Sequence, residues 1–263
     1  MTICIAAICS DNNVVAVTDK MLTVSAPVAT RYEISENNKA FPLKQGVFAL
    51  FAGEVTQANQ IISLVKPLIT EKHTVQEVAN LLNETFKNYW QNILSNFLQM
   101  RYGIDLGTFM SNHSNFDQVF VRSTMDIISN FKINVEMLVA GKDEDGTAHI
   151  YSITNEGTAF DRSAEGYYPI GSGAEHAKLS LIESEMNSTF SQEKALFCLL
   201  KAKTRAEFDP GVGKLTDIII LNKELRILNN EEVGAITTLF QTNQTEAAKI
   251  EKRTTSALAK LME

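Results

Sequence analysis

Short apolar runs separated by turn-forming residues dominate the first fifty positions of the chain. Residues 3–8 and 14–17 are apolar and partly β-branched, and the segment between them, residues 10–13, reads Ser-Asp-Asn-Asn. A second pair of apolar runs, at 39–43 and 47–52, flanks another short polar turn. The pattern predicts two β-hairpins, which we expect to form a four-stranded antiparallel unit.

Helical periodicity replaces this pattern after the second hairpin. Residues 56–70 form one amphipathic run, and Thr74 and Glu77 form a capping box that opens a second run reaching Trp90. Both helices are expected to pack on the sheet. Residues 100–130 are rich in Asn, Ser, Phe and Met without a clear period, so they are interpreted as an insertion or helical excursion.

The second half of the chain again places helices between runs of strands. In order, the patterns predict strands at 135–140 and 147–154, a short strand after a turn at 155–157, helices at 174–186 and 191–204, strands at 217–222 and 225–228, and a charged helix at 235–262. This grouping favours an α+β fold with two antiparallel sheets stacked between layers of helices.

Composition limits the class of protein. The 263 residues are 44% hydrophobic and 21% charged, which is typical of a globular chain with a sizeable core. We expect a single domain over residues 1–263, with an insertion at about 90–130 and a C-terminal helical extension at about 235–263. The net charge of -7 and the scattered cations argue against nucleic acid as a partner. Apolar runs fall well short of the roughly 20 residues of a membrane helix.

Cysteine usage and the start of the chain suggest a cytoplasmic protein. Cys4, Cys9 and Cys198 form no CxxC pair and leave an odd count, so neither a disulfide framework nor a metal site is predicted, and no cofactor motif is present. The N-terminus lacks the basic region, the longer apolar region and the cleavage site of a signal peptide, so secretion is not expected.

Thr2 is the first candidate for chemistry. Removal of Met1 leaves a hydroxyl and a free α-amine on one residue, and an amine with a pKa of about 8 can accept the hydroxyl proton as the oxygen attacks a carbonyl. The four histidines show no triad spacing. Threonine at position 2 is common in proteins of every kind, but a strand beginning at Ile3 would hold the amine rigidly.

Several motifs, in order, resemble proteasome β-type subunits, and the Met-Thr-x-Cys start is similar to the bacterial proteasome homologues called Anbu. The family opens with Thr, a hairpin, and a second strand ending in Asp. The resemblance covers most of the chain outside residues 90–130 and the C-terminal helix. The matching segments are 2–8 (TICIAAI), 14–20 (VVAVTDK), 39–43 (KAFPL), 51–53 (FAG), 139–143 (VAGKD), Tyr151, Gly157, 170–174 (IGSGA) and 216–220 (TDIII).

The resemblance implies a four-layer α-β-β-α N-terminal-nucleophile (Ntn) hydrolase sandwich and a role for five residues. Thr2 is the nucleophile, Lys39 lowers the pKa of its amine and hydroxyl, and Asp19 holds Lys39 charged and oriented. The backbone N–H of Gly53 forms an oxyanion hole, and Ser172 assists proton transfer. Each residue also has a simpler explanation: a strand end, a solvated lysine, a turn glycine or a helix N-cap.

The chain departs from the family in three places, one of which is a first turn that is one residue longer than the family's. The separation between Asp19 and Lys39 is longer than usual, which would allow Lys39 to be displaced. The family's Asp-x-x-Ser-Gly-Gly segment corresponds to residues 207–213 (EFDPGVG), where the serine is absent and the aspartate is out of register. Asp209 therefore matches poorly the residue that orients Ser172 and the Thr2 amine.

Three functional hypotheses follow. The first is a cytoplasmic threonine peptidase in a homo-oligomeric ring or spiral, whose chamber restricts substrates to peptides or unfolded proteins, with an ATPase or other regulator as a further partner. The second keeps the nucleophile but hydrolyses a small amide. The third is a catalytically silent structural subunit. The intact set of Thr2, Asp19 and Lys39, and the lack of an α-subunit-type extension ahead of the first strand, favour an enzyme.

Overall fold

A computed structural model of the chain describes residues 2–24, 30–33 and 39–262. In this part of the chain, seven α-helices accompany two five-stranded antiparallel sheets, an arrangement compatible with the predicted α+β sandwich. Within the same residues, no helix combines the length and the apolarity that crossing a bilayer requires.

The strands divide between two main sheets. They are β1 (Cys4–Cys9), β2 (Asn13–Asp19), β3 (Met21–Val24), β4 (Thr30–Glu33), β5 (Ala40–Lys44), β6 (Val47–Gly53), β7 (Val135–Lys142), β8 (Ala148–Ile153), β9 (Ala159–Asp161), β10 (Tyr167–Ile170), β11 (Thr216–Leu221) and β12 (Leu225–Ile227). Sheet I has the order β10-β1-β2-β11-β12, and sheet II has the order β5-β6-β7-β8-β9. Strands β3 and β4 form a separate pair.

Both N-terminal hairpins form, but they do not join into one unit, so the predicted four-stranded sheet is wrong. The β1–β2 hairpin lies at the centre of sheet I, and the β5–β6 hairpin belongs to sheet II. All six residues of β1 are buried, which means that both faces of the strand are covered. The hairpins stack face to face because each has an apolar face for the other, and a local apolar pattern does not distinguish stacking from edge pairing.

Three hydrophobic clusters define the layers. One lies between the sheets, where Ala6 and Ala16 of sheet I meet Phe48 and Leu138 of sheet II. The outer face of sheet II packs against α1 (Val55–Val65) and α2 (Val75–Tyr102), as predicted. The outer face of sheet I packs against α5 (Ala174–Glu183), α6 (Gln192–Ala206) and the first turns of α7 (Asn230–Met262).

The region at 100–130 is helical. The capping box of Thr74 and Glu77 is present, and α2 continues beyond Trp90 to end at Gly103, which is left-handed. Two further helices, α3 (Leu106–Asn112) and α4 (Gln118–Asn130), follow. Each of these two helices buries a single residue, which explains why the sequence shows little periodicity there. The short 3₁₀ turns are Ser10–Asn12, Lys66–Leu68, His113–Asn115 and Ser163–Glu165.

Candidate active site

The first residues of β1 and the last residues of β2 meet at one end of sheet I. In the β1–β2 ladder Cys4 pairs with Thr18, and the Asp19 amide then donates to the Ile3 carbonyl at 3.1 Å. Thr2 therefore lies beside Asp19. Lys39 comes from the other sheet, immediately before β5, and its carbonyl accepts a 3.2 Å bond from the Phe51 amide of β6.

Thr2, Asp19 and Lys39 are in direct contact. The Thr2 hydroxyl donates to Asp19 Oδ1 and accepts from Lys39 Nζ, and Lys39 Nζ lies 2.6 Å from the same carboxylate oxygen. Thr2 is 1% exposed, Lys39 2% and Asp19 0%. The solvated lysine considered from the sequence is therefore excluded, and the longer separation between Asp19 and Lys39 does not displace the lysine.

Backbone amides fix the Asp19 carboxylate. Its Oδ1 also accepts from the Ile3 amide at 3.0 Å, and its Oδ2 accepts from the amides of Met21 at 3.1 Å and Gly213 at 2.9 Å. A carboxylate with this many donors has a fixed orientation and a well-satisfied charge. Asp19 therefore anchors the ammonium group of Lys39 next to the Thr2 hydroxyl.

The loop after β10 packs against the backbone of Thr2. The Thr2 nitrogen lies 3.3 Å from Ser172 Oγ, and the Gly173 amide donates to the Thr2 carbonyl at 3.3 Å. Gly171 has φ +100°, and a Cβ there would collide with the Thr2 carbonyl, so only glycine fits. The N-cap of α5 is Gly173, without a side-chain cap. Ser172 is thus not the helix cap.

Gly53 and Thr2 line the same cleft. Gly53 ends β6 with φ +112°, and a Cβ at this position would overlap the Asn134 carbonyl. The cleft has a volume of about 430 Å³ and reaches from Gly53 past Thr2 to Ser172. The five residues singled out in the sequence therefore converge: three form a hydrogen-bonded cluster, and two border the cleft beside it.

Glu136 is a cleft residue that sequence reasoning missed. It lies on β7, opposite Ala52 in the β6–β7 ladder, and its Oε2 accepts a 2.9 Å hydrogen bond from the amide of Gly171, which immediately follows β10 of sheet I. The carboxylate thus bridges the two sheets beside Ser172. The available signal was a glutamate near the start of a strand that is apolar from there to its final lysine, VEMLVAGK.

Asp209 closes a local turn and does not take the position of the residue that orients Ser172 and the Thr2 amine. Its Oδ1 accepts a 2.6 Å hydrogen bond from the Gly211 amide, which closes a turn. Within the described residues, no hydrogen bond joins Asp209 to Ser172 or Thr2. The donor to Asp19 from this segment is instead the backbone of Gly213.

A second buried ion pair lies near the site. Lys20 Nζ is 2.8 Å from Asp217 Oδ1, and both side chains are almost fully buried. Burial raises the pKa of Asp217 above its ordinary value, against the opposing effect of Lys20. Asp217 Oδ2 accepts no hydrogen bond from the described residues, which is consistent with a carboxylate that is costly to ionise.

We therefore expect the difference in stability between the wild type and Asp217→Asn to depend on pH. A carboxyl group whose pKa is raised by folding holds its proton more tightly in the folded state, so its ionisation lowers stability as pH rises. The free energy of unfolding of the wild type minus that of Asp217→Asn should fall as pH rises from about 4, the unfolded-state pKa, and become flat above the folded-state pKa. Urea unfolding between about pH 4 and 8 measures this difference. A difference that grows with pH over that interval contradicts the assignment.

The cysteines are poor competing nucleophiles. Burial raises the pKa of Cys4 far above its usual range, that of Cys9 to about 11, and that of Cys198 in the same direction. Since the thiolate is the reactive form, these thiols are expected to be inert near neutral pH. No cluster of three or more potential metal ligands occurs among residues 2–24, 30–33 and 39–262.

Comparison with known proteins gives no family for the chain. No protein-family model and no curated protein matches it.

Proposed function

We propose that the chain is a proteasome-like threonine peptidase, in which Thr2 becomes the nucleophile once Met1 is removed. The observation that carries the proposal is the buried contact of the Thr2 hydroxyl with both Asp19 and Lys39 at the wall of a cleft. A hydroxyl held between a carboxylate and an ammonium group has an ordered hydrogen-bond partner on each side, as an activated nucleophile requires.

The reaction starts at the new amine of Thr2. The amine takes the hydroxyl proton while the oxygen bonds to the substrate carbonyl carbon, which gives a tetrahedral oxyanion. The C–N bond then breaks, and the departing amine receives the proton from the ammonium group of Thr2. Water next attacks the ester with the same amine as base. The second product is a carboxylic acid, and the hydroxyl of Thr2 is restored.

The surrounding groups have separate roles in this scheme. Lys39 places a positive charge beside the hydroxyl, which favours the neutral form of the nearby amine and stabilises the developing alkoxide. Ser172, whose oxygen lies 3.3 Å from the Thr2 nitrogen, relays protons to and from the amine. The Gly53 amide, at the end of β6 in the same cleft, donates to the oxyanion.

The layered architecture supports the finer fold assignment. Two stacked antiparallel sheets have helices on both outer faces, and Thr2 lies just before β1, an inner strand of sheet I. This is the arrangement expected of a four-layer Ntn-hydrolase sandwich. By the same resemblance we propose a ring or spiral of identical subunits that acts on peptides or unfolded proteins.

A covalent trap tests the proposed nucleophile. Met1 lies outside the described residues, so intact mass first establishes whether the mature chain begins at Thr2. We expect a β-lactone to add one acyl group, which tandem mass spectrometry of the N-terminal peptide locates on Thr2. Thr2→Ala is the matched control, because alanine also permits removal of Met1 while lacking the hydroxyl.

The outcomes separate the three functional hypotheses. An adduct on Thr2 together with turnover of fluorogenic peptides supports the peptidase. An adduct with turnover of small amides alone favours an amidase. A folded wild type that retains Met1, or that gives no more adduct than Thr2→Ala, contradicts the mechanism and favours a structural subunit.

A further inference from the structure

The cleft beside Thr2 contains a negative charge with unused hydrogen-bonding capacity. Glu136 is half-buried, and its Oε2 is occupied by the Gly171 amide at 2.9 Å. Its Oε1 accepts no hydrogen bond, and no Lys or Arg forms an ion pair with Glu136, within the part of the chain that the structure describes. A partly desolvated carboxylate is normally paired, so this one is available to a ligand.

Neighbouring polar groups in the cleft do not satisfy this charge. The side chain of Asn155 is committed to the backbone of Ile133, accepting from its amide at 3.0 Å and donating to its carbonyl at 2.9 Å. Lys132 also borders the cleft, but it is exposed and makes no ion pair among the described residues. Its charge is screened by solvent, whereas that of Glu136 is screened less.

We infer that Glu136 selects substrates that carry a cationic side chain, Arg or Lys, on the acyl side of the scissile bond. This inference rests on the proposed function of Thr2, since the preference concerns the substrate of that nucleophile. The Gly171 amide holds one carboxylate oxygen, and the guanidinium or ammonium group of the substrate donates to the other. Hydrogen bonds between charged groups are the stronger kind, and the half-buried setting strengthens them further.

Binding measurements isolate the role of the charge. The probes are two capped tripeptide amides, acetyl-Leu-Leu-Arg-amide and acetyl-Leu-Leu-Leu-amide, titrated by NMR into Thr2→Ala, which cannot turn them over. We expect the arginine peptide to bind about tenfold more tightly than the leucine peptide, the scale of one charge-assisted hydrogen bond. Adding Glu136→Gln should remove this difference, because glutamine keeps an acceptor for the Gly171 amide and loses the charge.

Two further variants control the measurement. Lys132→Gln removes the other charged side chain that lines the cleft among the described residues, and it should leave the arginine preference intact or slightly larger. Glu136→Ala also removes the bond to Gly171 and should weaken both peptides. Equal affinity of the two peptides for Thr2→Ala, or a preference that survives Glu136→Gln, overturns the inference.

Turnover by the wild type provides an independent measurement. Fluorogenic amides with arginine or leucine before the reporter should differ by about tenfold in kcat/KM, and Glu136→Gln should lower only the value for arginine. If no adduct forms on Thr2, the proposed function fails, and the binding titration still decides whether the cleft prefers a cation. If adducts form without a cation preference, the inference about Glu136 alone fails.

Discussion

Replacing Lys39 with alanine is expected to slow acylation of Thr2 by more than about 100-fold, the scale of losing a tuned acid-base partner. Lys39 Nζ contacts the Thr2 hydroxyl and lies 2.6 Å from Asp19, so its removal leaves the Asp19 carboxylate as the hydroxyl's hydrogen-bond partner among the described residues. The negative charge then disfavours the alkoxide-like transition state. The measurement is the second-order rate of β-lactone adduct formation, read by intact mass, alongside peptide turnover.

The pH profile distinguishes this electrostatic role from a purely structural one. A neighbouring cation disfavours the protonated amine, so loss of Lys39 raises the pKa of the Thr2 amine and moves residual activity to higher pH. Lys39→Arg, which keeps the charge, should retain more activity than Lys39→Ala. The control is Lys223→Ala, an exposed lysine in the β11–β12 turn. Turnover of Lys39→Ala at the wild-type rate rules out the assigned role.

Local patterns in the sequence predicted most elements but not how they assemble. The capping box at Thr74, the hairpin turns and the strands of the second half are confirmed. The predicted joining of the two N-terminal hairpins was wrong, because short apolar runs indicate strands but do not specify which strands pair at their edges and which stack face to face. Strand β10 went unpredicted, since four residues bounded by Gly166 and Gly171 carry too little pattern.

The sequence predicted those parts of the site that depend on the first hairpin or on the motifs that resemble the proteasome family. Thr2 and Asp19 are brought together by the β1–β2 register, which the first hairpin already implied. The contact of Glu136 with Gly171 depends on how closely sheet II approaches Gly171, which is a property of the stacking. The sequence of β7 shows the charge but does not show this contact. The Gly213 amide reaches Asp19 across 194 positions of sequence by the same long-range packing.

The cluster depends on the alignment of the two sheets. Asp19 ends a strand of sheet I, while Lys39 leads into the edge strand of sheet II. Their 2.6 Å contact therefore joins the two layers, and the apolar residues between the sheets hold it in register. A charge pair in such a position favours this alignment of the sheets, because a shifted arrangement leaves both charges buried and unpaired.

Asp19→Ala should accordingly have the largest effect on stability. Removing the carboxylate leaves the Lys39 ammonium group buried without its partner, and it orphans the amides of Ile3, Met21 and Gly213. Breaking a buried pair from one side costs about 3–5 kcal/mol. We expect a loss of this size in the free energy of unfolding, measured by urea denaturation. The matched control, Asp126→Ala on the exposed face of α4, should change stability by less than about 0.5 kcal/mol.

A double-mutant cycle separates the stability contributed by the Asp19–Lys39 ion pair from that contributed by the backbone amides bound to Asp19. Lys39→Met supplies an uncharged side chain of similar length, so the double variant of Asp19→Ala and Lys39→Met no longer buries a lone charge. Because the two groups are in contact, their effects should be non-additive by more than about 1 kcal/mol, with the double variant more stable than the sum of single losses predicts. Additive losses indicate that the amides, rather than the ion pair, dominate the effect. A stable Asp19→Ala protein contradicts the claim that this carboxylate anchors Lys39 against Thr2.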